Sequence, residues 1–178
     1  MMSSDIICLS ETWIACLDDA NILHNFSSNI CGSGKEKGVA KYYRSQFSFL
    51  QSKHIEKPGF QILHLEFDSF YIIAVYLSQT EKPYADVASE LDLLISAHAD
   101  KLCVICGDFN LSDYLSSVHN IIETMLSRMG YQQVIISATH FQGSLLTQVY
   151  KNQEPEEQFI HSVYYSDHDA TCPIHRLF

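Results

Sequence analysis

Apolar residues recur along this chain in short runs, each about as long as a β-strand. Runs of this kind lie at 5–9, 39–44, 47–51, 60–67, 70–77, 102–106, 133–136, 145–150, 159–164 and 171–174. Within 60–67 the side chains alternate between two faces, with Ile62, His64 and Glu66 on one and Leu63, Leu65 and Phe67 on the other. Residues 68–69 separate two of the runs and predict a hairpin turn. The pattern predicts many short strands.

Two segments show the spacing of amphipathic helices instead. Pro83 suits a first helical turn, and apolar residues then recur at positions 87, 91, 94 and 95. A second apolar stripe runs from about 113 to 129 and stops at Gly130, a residue that favours helix termination. Strands interspersed with helices and hairpins predict an α/β or α+β domain built in layers.

The composition of the chain indicates a globular domain and argues against a membrane or secreted protein. The 178 residues are 47% hydrophobic and contain no evident linker or repeat, so we expect a single domain over residues 1–178 with a substantial core. The longest apolar run, at 70–77, is too short to span a membrane, and the N-terminus lacks the features of a secretory signal. We therefore expect an intracellular protein, nuclear or cytoplasmic, with no membrane partner.

Six cysteines raise the question of a disulfide framework. Cys8, Cys103 and Cys106 lie inside apolar runs, where a free cysteine behaves as a small buried hydrophobe. On a strand, the odd spacing of Cys103 and Cys106 places their side chains on opposite faces, which argues against shared zinc ligation. We expect reduced thiols.

The charge of the chain argues against broad binding of nucleic acid. The formal net charge is −10, whereas binding to phosphate backbones depends on Lys and Arg. Lys35, Lys37, Lys41 and Arg44 place four of the 11 basic residues within ten positions. A solvated turn and edge strand explain this group better than a patch that contacts DNA, although both interpretations stay open. Any activity on nucleic acid would need a local site, where a metal ion could reverse the sign of the charge.

Carboxylates, an amide and a histidine follow the ends of several apolar runs. Glu11, the pair Asp108 and Asn110, and the pair Asp167 and His168 each come shortly after such a run. An open sheet places its functional groups at strand ends, and carboxylate and amide oxygens suit Mg²⁺. Together with a histidine that can stabilise a phosphate, they suggest metal-assisted phosphodiester hydrolysis. Taken singly, each residue is more typical of a helix start, a turn or a surface imidazole.

Several short blocks occur in one order along the chain, and together they are specific. They are Leu-Ser-Glu-Thr-Trp at 9–13, Lys-Gly-Val-Ala at 37–40, Ala-Val-Tyr at 74–76, Gly-Asp-Phe-Asn at 107–110, Thr-His at 139–140, Gly-Ser-Leu-Leu at 143–146, Val-Tyr at 149–150 and Ser-Asp-His at 166–168. The chain resembles the endonuclease/exonuclease/phosphatase family over nearly its whole length. Within that family it is most similar to the nuclease domains of retrotransposons and related mobile elements.

The resemblance implies a fold. The family has a four-layer α/β/β/α sandwich, in which two sheets pack face to face and helices cover the outside. This agrees with the strand-rich pattern and the two amphipathic segments. The family begins with a strand that carries an Asn of the site, followed by a helix. Neither has a counterpart here, so we expect an N-terminally incomplete domain.

The resemblance also implies roles for individual residues. Glu11 would be a ligand of Mg²⁺, or of Mn²⁺ in its place, and Asp167 would complete the metal and water side of the site. Asp108 would orient or deprotonate the attacking water, and Asn110 would hydrogen-bond the scissile phosphate. His168 would stabilise the phosphorane-like transition state. Tyr76 would lie beside the phosphate.

Two further departures from the family pattern concern activity. The family usually carries an Asp that pairs with the catalytic His at the position of Thr147. A hydroxyl can accept a hydrogen bond from an imidazole but cannot stabilise an imidazolium by charge, and a rate loss of roughly 10²–10⁴ follows if His168 depends on that partner. In addition, Leu-Ser-Gln at 77–79 replaces an Arg/Pro-rich turn.

Three functional hypotheses follow. The first is Mg²⁺-dependent hydrolysis of DNA by a domain of mobile-element origin. The second is a non-catalytic remnant of the fold that binds metal, nucleic acid or a protein. The third is hydrolysis of a small or lipid phosphate on the same fold, since a fold does not fix a substrate.

Overall fold

A computed structural model describes residues 5–10, 12, 23–32, 38–110, 120–135, 147–153, 157–161 and 170–174. The strands are β1 (Ile6–Ser10), β2 (Phe26–Cys31), β3 (Val39–Arg44), β4 (Phe49–Lys57), β5 (Phe60–Phe67), β6 (Phe70–Leu77), β7 (Leu102–Asp108), β8 (Gln132–Gln133), β9 (Thr147–Lys151), β10 (Glu157–His161) and β11 (Ala170–Ile174). The helices are α1 (Tyr84–Ser96) and α2 (Asn120–Arg128).

The main sheet has six strands in the order β4-β5-β6-β7-β9-β8. Antiparallel hairpins join β4 to β5 and β5 to β6, whereas α1 connects β6 to β7, which run parallel. Strand β9 returns antiparallel to β7. A second sheet has the antiparallel order β1-β3-β2, and β10 pairs with β11.

Both faces of the central strands of the six-stranded sheet are buried, because their side chains alternate between two cores. Ile62, Ile73 and Ile105 pack on one face against the apolar residues of α1 and α2. Leu63 and Ile72 pack on the other face, against the β1-β3-β2 sheet. Burying each such side chain contributes about 1.5–3 kcal/mol. The layers therefore run helices, sheet, sheet, which confirms the predicted sandwich of two packed sheets with helices outside.

Several predicted elements have the predicted boundaries. Strands β3, β5 and β6 span 39–44, 60–67 and 70–77, and the turn between the last two lies at residues 68–69. The apolar stripe predicted for α1 is buried, at Val87, Leu91, Leu94 and Ile95. For the predicted helix at 113–129, α2 accounts for Asn120–Arg128, and 113–119 lie outside the described residues.

Two strands differ from the prediction because they are polar. The strand predicted at 47–51 begins at Phe49 and continues to Lys57, and β2 was not predicted. Strand β4 is an edge strand whose residues are exposed apart from Ile55, so it carries no apolar run. The sequence of β2, Phe-Ser-Ser-Asn-Ile-Cys, lacks clear alternation as well. The remaining strands differ from the prediction by a few residues at their ends.

Four cysteines whose side chains the structure describes are free thiols. They are Cys8, Cys31, Cys103 and Cys106. Cys103 packs in the helix-side core and Cys106 packs between the sheets, which confirms that they lie on opposite faces of β7. Within the described ranges, no three His, Cys, Asp or Glu residues are grouped as a metal would need, and no helix is both long and apolar enough to cross a membrane.

Candidate active site

Three strands bring polar residues together at one end of the six-stranded sheet. Tyr76 at the end of β6 is the register partner of Asp108 at the end of β7, and Asp108 is in turn opposite Thr147 at the start of β9. Neighbouring strands lie about 4.8 Å apart, so these three positions are adjacent. Tyr76 and Asp108 are 7% and 4% exposed. By strand alternation, both belong to the face that packs against the second sheet.

Gly107 sets the spacing between β6 and β7 just before Asp108. Its φ is +145°, and a Cβ built there would lie 1.9 Å from the carbonyl oxygen of Val75. No residue with a side chain can occupy that position unless the two strands separate. The glycine of the Gly-Asp-Phe-Asn block is therefore required by a close approach of two backbones.

Phe109 fixes the direction in which the chain leaves the sheet. Its side chain is fully buried in the helix-side core and meets Tyr150 edge to face, with ring centroids 5.9 Å apart. Because alternate residues point to opposite faces, this anchor keeps Asp108 directed to the other side of the sheet.

Asn110 then folds back onto Asp108. Its φ is +46°, in the left-handed region that Asn tolerates better than most residues. The Asn110 N–H donates to Asp108 Oδ1 at 2.9 Å. The side-chain amide donates to Asp108 Oδ2 at 3.3 Å and to the carbonyl oxygen of Leu77 at 2.6 Å. Both carboxylate oxygens are thus held in place, and β7 is tied to the end of β6.

These hydrogen bonds bear on the role predicted for Asn110. Its amide nitrogen already donates to two acceptors of the protein, Leu77 and Asp108. A phosphate oxygen accepts hydrogen bonds but cannot donate them, so a contact through the same nitrogen requires one of these bonds to be given up. The predicted phosphate contact stays a prediction, whereas the positioning of Asp108 is observed.

Several predicted site residues fall in the parts of the chain without a description. They are Glu11, Lys35, Lys37, Asp167 and His168. Strand β1 ends at Ser10, directly before Glu11. The backbone of Thr147 is described, and its register partner is Asp108. The structure therefore brings together Tyr76, Asp108, Asn110 and the position of Thr147.

Lys41 fits neither interpretation of the basic group, because it lies neither on a solvated edge strand nor on a surface that could contact DNA. Lys41 lies on β3, the central strand of its sheet, and its side chain is fully buried. Its Nζ donates to the carbonyl oxygens of Leu63 and Ile72, at 2.6 Å each. Burial lowers the pKa of this ammonium to about 8. A group held inside the sandwich cannot reach a phosphate backbone outside it.

Arg44 lies at the end of the same strand and is partly exposed. Its Nε pairs with Asp5 Oδ1 at 3.0 Å, and the guanidinium lies 4.8 Å from the centre of the Phe26 ring. The ion pair with Asp5 balances part of the charge of the guanidinium. A contact between Arg44 and DNA stays a prediction.

Sequence reasoning missed two parts of this site. One is the close approach of Gly107 to Val75, for which a glycine directly after an apolar run was the available signal. The other is the bond from Asn110 to the Leu77 carbonyl, for which the sequence carries no signal because backbone groups have no residue-specific pattern.

Fold and site together define the class of this protein, an α/β sandwich whose polar residues converge where adjacent central strands end. The sequence profile of the endonuclease/exonuclease/phosphatase family matches residues 2–154, and the chain belongs to that family. No curated protein matches the sequence as a relative.

Solved structures share this fold at low sequence identity. An AP endonuclease from Archaeoglobus fulgidus superposes with a TM-score of 0.71 at 12% identity, over 94% of this chain and 87% of that one. The 3′ phosphatase NExo from Neisseria, bound to a product DNA hairpin, gives 0.76 at 14% identity, again over 94% and 87%. The endonuclease domain of TRAS1, a telomere-specific non-LTR retrotransposon, gives 0.67 at 11% identity, over 94% and 83%. At these identities the likeness establishes the fold alone.

Proposed function

We propose that this protein hydrolyses phosphodiester bonds in DNA with the help of a divalent metal ion, Mg²⁺ or Mn²⁺. The observation that carries the proposal is the Asp108 carboxylate, held at both oxygens by Asn110 at the end of β7. A buried, oriented carboxylate costs free energy to desolvate, and such groups are typical of catalytic sites.

The described residues have the chemistry that this reaction needs. Asp108 can orient a water molecule and accept its proton, because its position is fixed by the turn at 107–110. Tyr76, its neighbour on β6, carries a hydroxyl that can donate to a phosphate oxygen. Asn110 acts through Asp108, which it holds in one orientation.

The metal ion is part of the proposal. Hydroxyl, carboxylate and amide groups line this end of the sheet, a set of hard donors that fits Mg²⁺ or Mn²⁺. By the family resemblance, the carboxylates of Glu11 and Asp167 would hold the ion, and His168 would stabilise charge on the phosphate. A bound ion of this kind polarises a phosphoryl oxygen and stabilises the leaving oxygen.

Two of the compared structures favour DNA as the substrate. The Neisseria phosphatase is bound to a DNA hairpin, and the TRAS1 domain is an endonuclease of a mobile element. The order of the sequence blocks favours an origin in a mobile-element nuclease as well. The net charge of −10 limits affinity for DNA, so we expect weak binding that depends strongly on salt concentration.

One observation favours a second candidate, a non-catalytic domain that binds metal, nucleic acid or a protein. Thr147 lies opposite Asp108, at the position where the family usually has the Asp that pairs with the catalytic histidine. The two candidates share the fold and differ in whether the chemical step occurs.

A nicking assay separates the two candidates. Supercoiled plasmid would be incubated with the protein in Mg²⁺ or Mn²⁺, in EDTA, and with Asp108→Ala. Asp68→Ala is the matched control, because it removes the same charge from the exposed turn at the other end of β6. We expect metal-dependent nicking by the wild type and by Asp68→Ala only. Circular dichroism would check that each variant is folded.

Absence of metal-dependent nicking above the Asp108→Ala background would refute the nuclease. Binding of labelled DNA by the folded wild type, without nicking, would then support the binding module. Release of phosphate from a small phosphoester, with no action on plasmid, would support the small-phosphate hydrolase instead.

A further inference from the structure

A second group of chemically reactive side chains lies between the two sheets. Cys8 on β1 is the cross-strand partner of Lys41 on β3, and Cys106 lies on the facing strand, β7. Both cysteines pack against the same inter-sheet core. This group plays no part in the proposed hydrolysis.

The three side chains are arranged as a thiol pair beside a cation. Cys8 and Cys106 approach from the two facing sheets and pack against the same core, and a hydrogen bond between their thiols lowers the pKa of Cys8 and raises that of Cys106. The Lys41 ammonium is fixed nearby by the Leu63 and Ile72 carbonyl oxygens, and cannot swing away. Neither cysteine is fully buried.

Their surroundings shift the pKa values of the two thiols in opposite directions. The hydrogen bond with Cys106 and the charge of Lys41 lower the pKa of Cys8 by more than its partial desolvation raises it, whereas the same hydrogen bond raises the pKa of Cys106. A partly exposed cysteine beside a cation is the reactive kind, since the thiolate is the nucleophile. Cys103 is the contrast on the same strand: it is fully buried on the other face, and burial raises its pKa to about 12.

We propose that Cys8 and Cys106 form a redox modification site, at which a peroxide converts the thiol pair into a disulfide that joins the two sheets. The Cys8 thiolate attacks one oxygen of hydrogen peroxide, so that an S–O bond forms, the O–O bond breaks and hydroxide leaves. The Cys106 sulfur then attacks the sulfenic sulfur of Cys8: the S–S bond forms, the S–O bond breaks, and the Cys106 proton leaves with the oxygen as water. The two sulfurs give up two electrons, which reduce the peroxide.

The position of the pair connects oxidation to the strand ends. A disulfide fixes the two sulfurs about 2 Å apart, so it would join β1 and β7 covalently. Cys106 lies two residues before Asp108, and Cys8 lies three residues before Glu11. Oxidation therefore acts on β7, which leads into the candidate active site, and on β1, which ends directly before Glu11 in the sequence.

Peptide mapping after oxidation tests the proposal. The reduced full-length protein would be treated with hydrogen peroxide at neutral pH in EDTA, alkylated and digested with trypsin without reduction. Cys8 shares its tryptic peptide with Cys16 and Cys31, and Cys106 shares its peptide with Cys103, so fragment spectra must assign the bond. We expect loss of two hydrogens, a Cys8–Cys106 bond, and oxidation of Cys8 at least about tenfold faster than of Cys103.

Conservative variants separate the roles of the two thiols. In Cys106→Ser we expect no cross-link and a sulfenic acid on Cys8 that dimedone traps, because the resolving thiol is gone. Cys103→Ser should form the Cys8–Cys106 bond as the wild type does. If a variant does not fold, the bond assignment in the wild type still decides the question. Glutathione in a parallel sample shows that the peroxide is active. The proposal would be overturned if Cys8 and Cys106 could still be alkylated after that glutathione is oxidised, or if Cys8 formed a bond with another cysteine.

Discussion

Asn110 holds both carboxylate oxygens of Asp108, one through its backbone N–H at 2.9 Å and the other through its side-chain amide at 3.3 Å. The same amide reaches the Leu77 carbonyl oxygen at 2.6 Å, so the turn after β7 is tied to the end of β6. Because each partner is buried, replacing one leaves another without its hydrogen bond. The Asp–Phe–Asn turn is therefore one structural unit, and disturbing it should affect stability and activity together.

Asn110→Asp should disrupt this unit while keeping the size of the side chain. The change replaces the donor that faces Leu77 and Asp108 by an acceptor, next to an existing carboxylate. We expect urea unfolding to show a loss of about 1–3 kcal/mol at pH 7. The nicking rate should fall about 10²-fold, since Asp108 is no longer positioned. Asn110→Gly keeps the left-handed φ and removes only the side chain, and wild-type stability and rate in this variant would contradict the role assigned to the amide.

Gly107→Ala should be far more damaging than a typical glycine substitution. Its Cβ would lie 1.9 Å from the Val75 carbonyl oxygen, and the φ of +145° is unfavourable for alanine. We expect a loss of about 4 kcal/mol or more in the free energy of unfolding, at the upper end for single substitutions. Gly130→Ala is the control, because its φ of +82° is also positive but its Cβ would have nothing within 4 Å. That variant should lose only about 1–2 kcal/mol, and equal losses at the two sites would show that strand contact is not the cause.

The sequence predicted an element correctly where its apolar pattern matches its burial in the folded protein. Apolar runs at 60–67 and 70–77 predicted β5 and β6 because both faces of these strands are buried. Strand β4 was misplaced because an exposed edge strand needs no apolar residues. Asp108 and Asn110 were found from the motif, but the Leu77 carbonyl that orients Asn110 carries no sequence signal. Lys41 was misread because burial of a lysine depends on carbonyl groups from two distant strands, which charge counting along the chain does not reveal.

Burial of Lys41 should make stability depend on alkaline pH. The folded-state pKa of about 8 lies below the ordinary value of 10.5, so between these values the unfolded chain holds a proton that the folded protein has released. Stability relative to Lys41→Met should therefore rise as pH increases through this window, whereas below pH 8 the cost of the buried ammonium is fully present. The shift corresponds to about 3 kcal/mol at most. Urea unfolding of wild type and Lys41→Met at pH 7 and pH 10 measures it, with Cys8→Ser repeats to remove the neighbouring thiol. A pH-independent difference between the two proteins would contradict the assignment.

Thr147→Asp should increase catalysis if the resemblance assigns the histidine partner correctly. Thr147 lies opposite Asp108 in the sheet, at the position where the family usually has the Asp that pairs with the catalytic histidine. A carboxylate there would stabilise the imidazolium of His168, and we expect metal-dependent nicking to rise by roughly 10²–10⁴. The new charge lies across from Asp108, so we also expect a small loss of stability on urea unfolding.

Thr147→Asn is the neutral control and should not accelerate nicking. Thr147→Asp combined with His168→Ala should lose the gain, because the added carboxylate acts only through the histidine. If the wild type nicks plasmid, a folded Thr147→Asp variant that is no faster than Thr147→Asn would show that Thr147 does not limit the reaction.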